Sequence, residues 1–94
     1  MTEKQLKYIE CIERAYVLID RDDSLGCCNA IDLAAYHAEP LFLMHGELMQ
    51  LFNQLYQDDI KWIYYWDLTE EGKQQRLIAL SLMIDIIKKE NLFK

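Results

Sequence analysis

Apolar residues recur at three- and four-residue spacing along most of this chain, and a single proline, Pro40, and three glycines interrupt them. That spacing is the period of one face of an α-helix, so the pattern limits the chain to a short list of helical packings. Thr2 and Gln5 have capping-box spacing and open a first helix. Leu6, Ile9, Ile12, Tyr16 and Ile19 mark one face of it, ending near Asp20. Arg21 to Gly26 has the composition of a turn. Asn29 is the expected N-cap of a short helix through Ile31, Leu33, Ala34 and Tyr36. Pro40 ends that helix, because proline disfavours the α region in the residue before it, and suits the first position of the next.

The next helix carries Leu41, Met44, Leu48, Leu51, Phe52 and Leu55 on one face. Its opposite face holds the neutral amides Gln50, Asn53, Gln54 and Gln57, which cost less to desolvate than charges and can hydrogen-bond across a contact. Asp58-Asp59 then leads into Ile60–Trp66, whose β-branched and aromatic residues also suit a strand. No second segment offers such a strand a partner, so a separate short helix is expected. Asp67 with Glu70 has capping-box spacing, and Thr69 competes as the N-cap of a final helix reaching about Asn91. Leu77, Ile78, Leu80, Leu82, Met83, Ile84, Ile86 and Ile87 make that helix apolar nearly all round. A helix of that kind lies at the centre of a bundle or against another subunit.

Ninety-four residues hold one core, so a single helical domain over 1–94 is expected. The fold class is all-α: a compact bundle of four to five helices, its long apolar C-terminal helix central or at a dimer interface. Eleven aromatic residues exclude intrinsic disorder.

Charge is unevenly distributed. The formal net charge is −6, and no lysine or arginine occurs from Asp22 to Ile60. Asp22, Asp23, Asp32, Glu39, Glu47, Asp58 and Asp59 lie in that stretch and account for the whole excess. Such a field repels phosphate backbones and anionic lipid and attracts a basic protein. The three cysteines, Cys11, Cys27 and Cys28, are odd in number and two are adjacent, which does not suit a disulfide framework. No signal peptide and no membrane-length apolar run stands out, so a cytoplasmic protein is expected.

Chemical motifs fail on spacing. His37-Ala38-Glu39-Pro40 has the His-x-Glu of zinc deaminases, but no cysteine follows residue 40 to complete the metal site. Cys27 and Cys28 are adjacent, whereas zinc ligands are separated by two to four residues, so their joining His37 and His45 in a metal site is not expected. Ser24 and Ser81 lack an elbow motif, and three glycines make no phosphate-cradling loop. No enzyme, cofactor or metal is expected.

Trp62, Tyr64, Tyr65 and Trp66 concentrate four aromatic residues in five positions. Tryptophan and tyrosine dominate binding hot spots, and this cluster adjoins the acidic stretch. The expected function is therefore that of a non-enzymatic protein that binds and inhibits or regulates a basic protein partner, such as a nuclease or nucleic-acid-binding protein. Its expected contact residues are Asp22, Asp23, Glu39, Glu47, Gln50, Gln54, Asp58, Asp59, Trp62, Tyr65 and Trp66. In size and charge the chain is similar to bacteriocin immunity proteins and to phage- or mobile-element-encoded inhibitors, a likeness that assigns no residue a role. The alternative is a structural or regulatory homodimer built on the 70–91 helix. Direct nucleic-acid and membrane binding are not expected.

Overall fold

The computed structural model describes residues 3–38, 46–65 and 69–89, and for 57–65 the backbone alone. Four helices occur among these residues: α1 (Glu3–Asp20), α2 (Ser24–His37), α3 (Gly46–Tyr65) and α4 (Glu70–Lys89). The all-α expectation holds, and the number of helices agrees with it. Thr2, Glu39 to His45, Trp66 to Leu68 and residues 90–94 lie outside the described residues, so the Thr2 cap, the roles of Pro40 and Asp67 and the end of the last helix near Asn91 do too.

α1 ends at Asp20, as its periodicity predicts, but its inward row differs. Gln5, Tyr8, Ile12, Ala15 and Ile19 are buried, whereas Leu6 is exposed and Ile9 and Tyr16 are half-buried. Adjacent positions on a helix diverge by about 100°, so Gln5 and Leu6 cannot share one face. The row containing Tyr8 wins, and its ring meets Phe52 of α3 edge-on at 5.5 Å.

The turn into α2 is tighter than its composition suggests. Asp22 takes a left-handed backbone conformation, φ 64°, and α2 starts two residues later at Ser24 rather than after Asn29. Asp23 is the N-cap: its Oδ1 accepts from the Gly26 N–H at 2.8 Å, and its carbonyl accepts from the Cys27 N–H. Ser24 to Gly26 therefore belong to the first helical turn, and Asn29 lies inside the helix, exposed.

α3 runs unbroken through Asp58-Asp59 to Tyr65. This corrects the expected break: two aspartates cost only some helix propensity, and no glycine or proline accompanies them. It also removes the strand alternative for Ile60 to Tyr65. Of the two caps weighed for α4, Thr69 is in place, its Oγ1 accepting from the Gly72 N–H at 3.0 Å.

Each helix packs on the next, and α4 closes the ring on α1, which sets α1 across from α3 and α2 across from α4. Lys73 near the start of α4 reaches Asp22 at the end of α1, while Ile84, Ile87 and Lys88 line a small cleft with Ile9, Ile12 and Glu13. α4 therefore runs antiparallel to α1, and the Tyr8–Phe52 contact sets the first half of α3 beside the first half of α1. This is an up-down-up-down bundle. Its core holds Tyr8, Ile12, Ile19, Cys27, Ile31, Leu48, Leu80 and Met83, all fully buried. Burying each large apolar side chain contributes about 1.5–3 kcal/mol. α4 forms one wall of the ring, not its axis. Its inward row is Gly72, Arg76, Leu80, Met83 and Ile87, which leaves Ile78 and Leu82 at 60% and 43% exposure.

A methyl group at Gly26 would overlap the Asp23 carboxylate, so glycine here protects the cap. Asp23→Ala is expected to cost about 1 kcal/mol and to lower Tm by roughly 4–8 °C. Gly26→Ala already displaces that carboxylate, so adding Asp23→Ala to it should cost less than about 0.5 kcal/mol. Calorimetry of the four chains measures this coupling; equal losses in both backgrounds would contradict it.

Candidate functional site

The expected contact residues fall into three groups once the helices are in place. Asp22 and Asp23 sit in the α1–α2 turn and both act within the fold. Asp22 pairs with Lys73 at 2.8 Å, and that lysine side chain is only 17% exposed. Asp23 is committed to its cap. Glu47 is exposed in the first turn of α3, at the opposite end of the bundle, because α3 runs parallel to α1. Asp32 is exposed on α2. Among the described residues, Asp22 and Asp23 thus stand at one end of the bundle and Glu47 at the other, with Asp32 exposed on α2. Glu39 and Trp66 lie outside the described residues.

The amide face of α3 is exposed as expected at Gln50, Asn53 and Gln54. Asp58, Asp59, Trp62 and Tyr65 lie on the continuous α3, where the structure describes the backbone alone.

A feature absent from the expected set lies on α2. With the helix starting at Ser24, Cys27, Cys28, Ile31 and Ala34 are buried. The opposite face then carries Leu25, Asn29, Leu33 and Tyr36, with Asp32 at its margin. Leu25, Leu33 and Tyr36 are 55%, 53% and 78% exposed, although Leu33 and Tyr36 were expected on the packing run. The row is about 17 Å long at 1.5 Å per residue. Among the described residues the Tyr36 ring meets the ring of its neighbour His37, at 5.1 Å edge-on. The signal was present in the sequence, since placing the N-cap at Asp23 instead of Asn29 reveals both rows.

Chemical groups are few. No disulfide joins the three cysteines. Burial pushes the Cys11 thiol above its ordinary range, with Glu10 adding to this and Arg14 opposing it, which keeps it protonated. Among the described residues no three His, Cys, Asp or Glu side chains gather as a metal site, and no helix is long and apolar enough to cross a membrane. Arg76 is a buried cation in the inward row of α4, where nothing in the sequence distinguishes it from a surface arginine. No family model matches this chain, and no curated protein and no solved structure matches it.

Two groups are expected to lower stability at alkaline pH. Burial raises the Tyr8 phenol well above its ordinary value of 10.0. The hydrogen bond from Lys73 to Asp22 raises that lysine above 10.5. Both groups hold their protons more tightly in the folded chain than in the unfolded one, so stability falls as pH climbs past about 10. Thermal melts from neutral into alkaline pH should show this decline, with a shallower slope for Tyr8→Phe and for Lys73→Met. A slope unchanged in both variants would assign the alkaline limit to other groups.

Proposed function

We propose that this chain is a non-enzymatic binding protein that inhibits or regulates a basic protein partner, docked on the outer face of α2. The observation that carries this reading is the row of Leu25, Leu33 and Tyr36: three large apolar side chains, each more than half exposed, on one face of a helix. Exposed apolar side chains gathered on one face with polar neighbours mark an interaction site, and here Asn29 lies within the row and Asp32 at its margin. Tyr36 has the form of an anchor, a large ring with a polar tip.

The basic character of the partner follows from what surrounds the row. No cation occurs in residues 22–60, so α2 and most of α3 offer a neutral-to-acidic environment. A surface that presents apolar side chains flanked by lysine or arginine fits it; a nuclease or another nucleic-acid-binding protein has such a surface. Covering that surface blocks its anionic ligand. The same field disfavours nucleic acid and anionic membranes as direct ligands. A cytoplasmic setting accords with three cysteines and no disulfide. A second reading, self-association through α4, is supported by the exposure of Ile78 and Leu82.

Affinity capture from the native host, comparing the natural chain with Leu33→Glu and Tyr36→Ala, tests the docking face. Tyr36→Ala should weaken binding by about thirtyfold, the scale of a hot-spot truncation. Asp32→Lys with Glu47→Lys should slow association and flatten its dependence on salt. A partner held equally well by all variants would remove the α2 face, and binding insensitive to salt would remove the electrostatic component.

A further inference from the structure

One outward row of α4 consists of Glu71, Gln75, Ile78, Leu82, Asp85 and Lys89, at alternating spacings of four and three residues. All six are exposed. None of their side chains takes part in a hydrogen bond or ion pair among the described residues, and the bundle is closed on the far side of the helix by Leu80, Met83 and Ile87. The alternation is that of a coiled-coil seam, a row able to stay in contact with a second helix over its whole length. The row extends about 27 Å.

The order of residues along this row is self-complementary when reversed. We propose that two copies of this chain pair antiparallel through α4, with the two-fold axis at the level of Leu80. This rests on the self-association reading and supplies its geometry. In this register Ile78 packs on Leu82 of the second copy, and symmetry repeats the contact, giving a central layer of four aliphatic side chains. Gln75 lies opposite Asp85 and can donate its amide N–H to that carboxylate. Glu71 lies opposite Lys89, so each end of the seam closes on an ion pair. Ala79 and Ser81 flank the centre and are small enough to let the helices approach closely.

Charge selects this arrangement over the parallel one. Parallel pairing in register would set Glu71 against Glu71, Asp85 against Asp85 and Lys89 against Lys89, three like-charge layers around a single apolar centre. Antiparallel pairing converts the two outer layers into opposite charges and the aspartate layer into amide–carboxylate contacts. An isologous two-fold interface needs one patch that complements itself, and this row meets that condition.

Sedimentation equilibrium at tens of micromolar is the test. The natural chain is expected at twice its 11.2 kDa mass. Ile78→Glu and Leu82→Glu should each give monomers with unchanged helical circular dichroism, since both positions are exposed in the single chain. Glu71→Lys and Lys89→Glu should each weaken the dimer roughly tenfold, because symmetry breaks two exposed pairs at once. The Glu71→Lys, Lys89→Glu double variant should restore it, which a parallel pairing would not do. A natural chain of monomer mass would overturn both self-association and this register. A dimer indifferent to Ile78→Glu and Leu82→Glu would overturn this face and leave self-association standing. Loss of the dimer in those variants, without rescue by the charge swap, would overturn the register alone.

Discussion

Each helix of a four-membered ring has one inward row, and this chain carries more apolar rows than the ring can take. Four inward rows fill the core with Tyr8, Ile12 and Ile19 from α1, Cys27 and Ile31 from α2, Leu48, Phe52 and Leu55 from α3, and Leu80, Met83 and Ile87 from α4. Once these are packed, close packing leaves no second inside for Leu25, Leu33, Tyr36, Ile78 and Leu82. Helix length sets the constraint. Four helices of fourteen to twenty residues give a body 37 Å long and 21 Å across, too narrow for a fifth buried element at its axis. The surface chemistry is therefore a consequence of the fold's capacity, and the two exposed apolar rows are its surplus.

The aspartates show how the same side chains serve fold and surface differently. Seven acids without a neighbouring cation look in sequence like a block of negative potential. In the bundle, Asp22 pairs with Lys73 from α4 and Asp23 closes the start of α2, so the turn that reverses the chain is itself built from acids. A carboxylate at a helix N-terminus is favoured by the unpaired amides there, whatever lies outside. Among the described residues of the stretch that lacks lysine and arginine, Asp32 and Glu47 stay exposed on the two adjacent helices α2 and α3. For the proposed basic partner, their field would steer association gently and the apolar row would supply most of the affinity.

Most of the architecture was legible in the sequence, because helix period and turn composition are local properties. The end of α1 at Asp20 follows from spacing, whereas spacing left Asp67 and Thr69 both open as the cap of α4, and the Gly72 amide shows Thr69 in place. The errors came where two local signals competed. Asn29 and Asp23 are both good N-caps, and only the tight left-handed turn at Asp22 decides for the earlier one. Asp58-Asp59 resembles a helix start as much as an interior pair, and the continuity of α3 depends on packing with α2 and α4 on either side. α1 presented two apolar rows, and the choice between Leu6 and Tyr8 was made by Phe52, a residue forty-four positions away from Tyr8. The exposed apolar row of α2 was the least legible part. Exposure is what remains after every helix has been rotated to its inward row, so one misplaced cap on α2 was enough to leave Leu25 in a turn and to set Leu33 and Tyr36 on a packing run.

The ring order gives the two surplus rows a relation that neither has alone. α2 and α4 stand on the diagonal, each backing onto the core from opposite walls. A partner on the outer face of α2 would leave the outer row of α4 uncovered, and pairing through α4 would leave α2 open. A two-fold axis beside α4 would carry both α2 faces to the far sides of the pair, pointing away from each other. Two identical sites facing outward cannot close on one compact monomeric target, since the body of the dimer stands between them. They would suit two separate targets or a target that is itself repeated, where the second contact forms at the effective concentration set by the first. Because the body between them is a packed bundle instead of a flexible linker, that gain depends strongly on spacing: a repeated target of matching geometry would benefit, and one of any other spacing would be bound one site at a time.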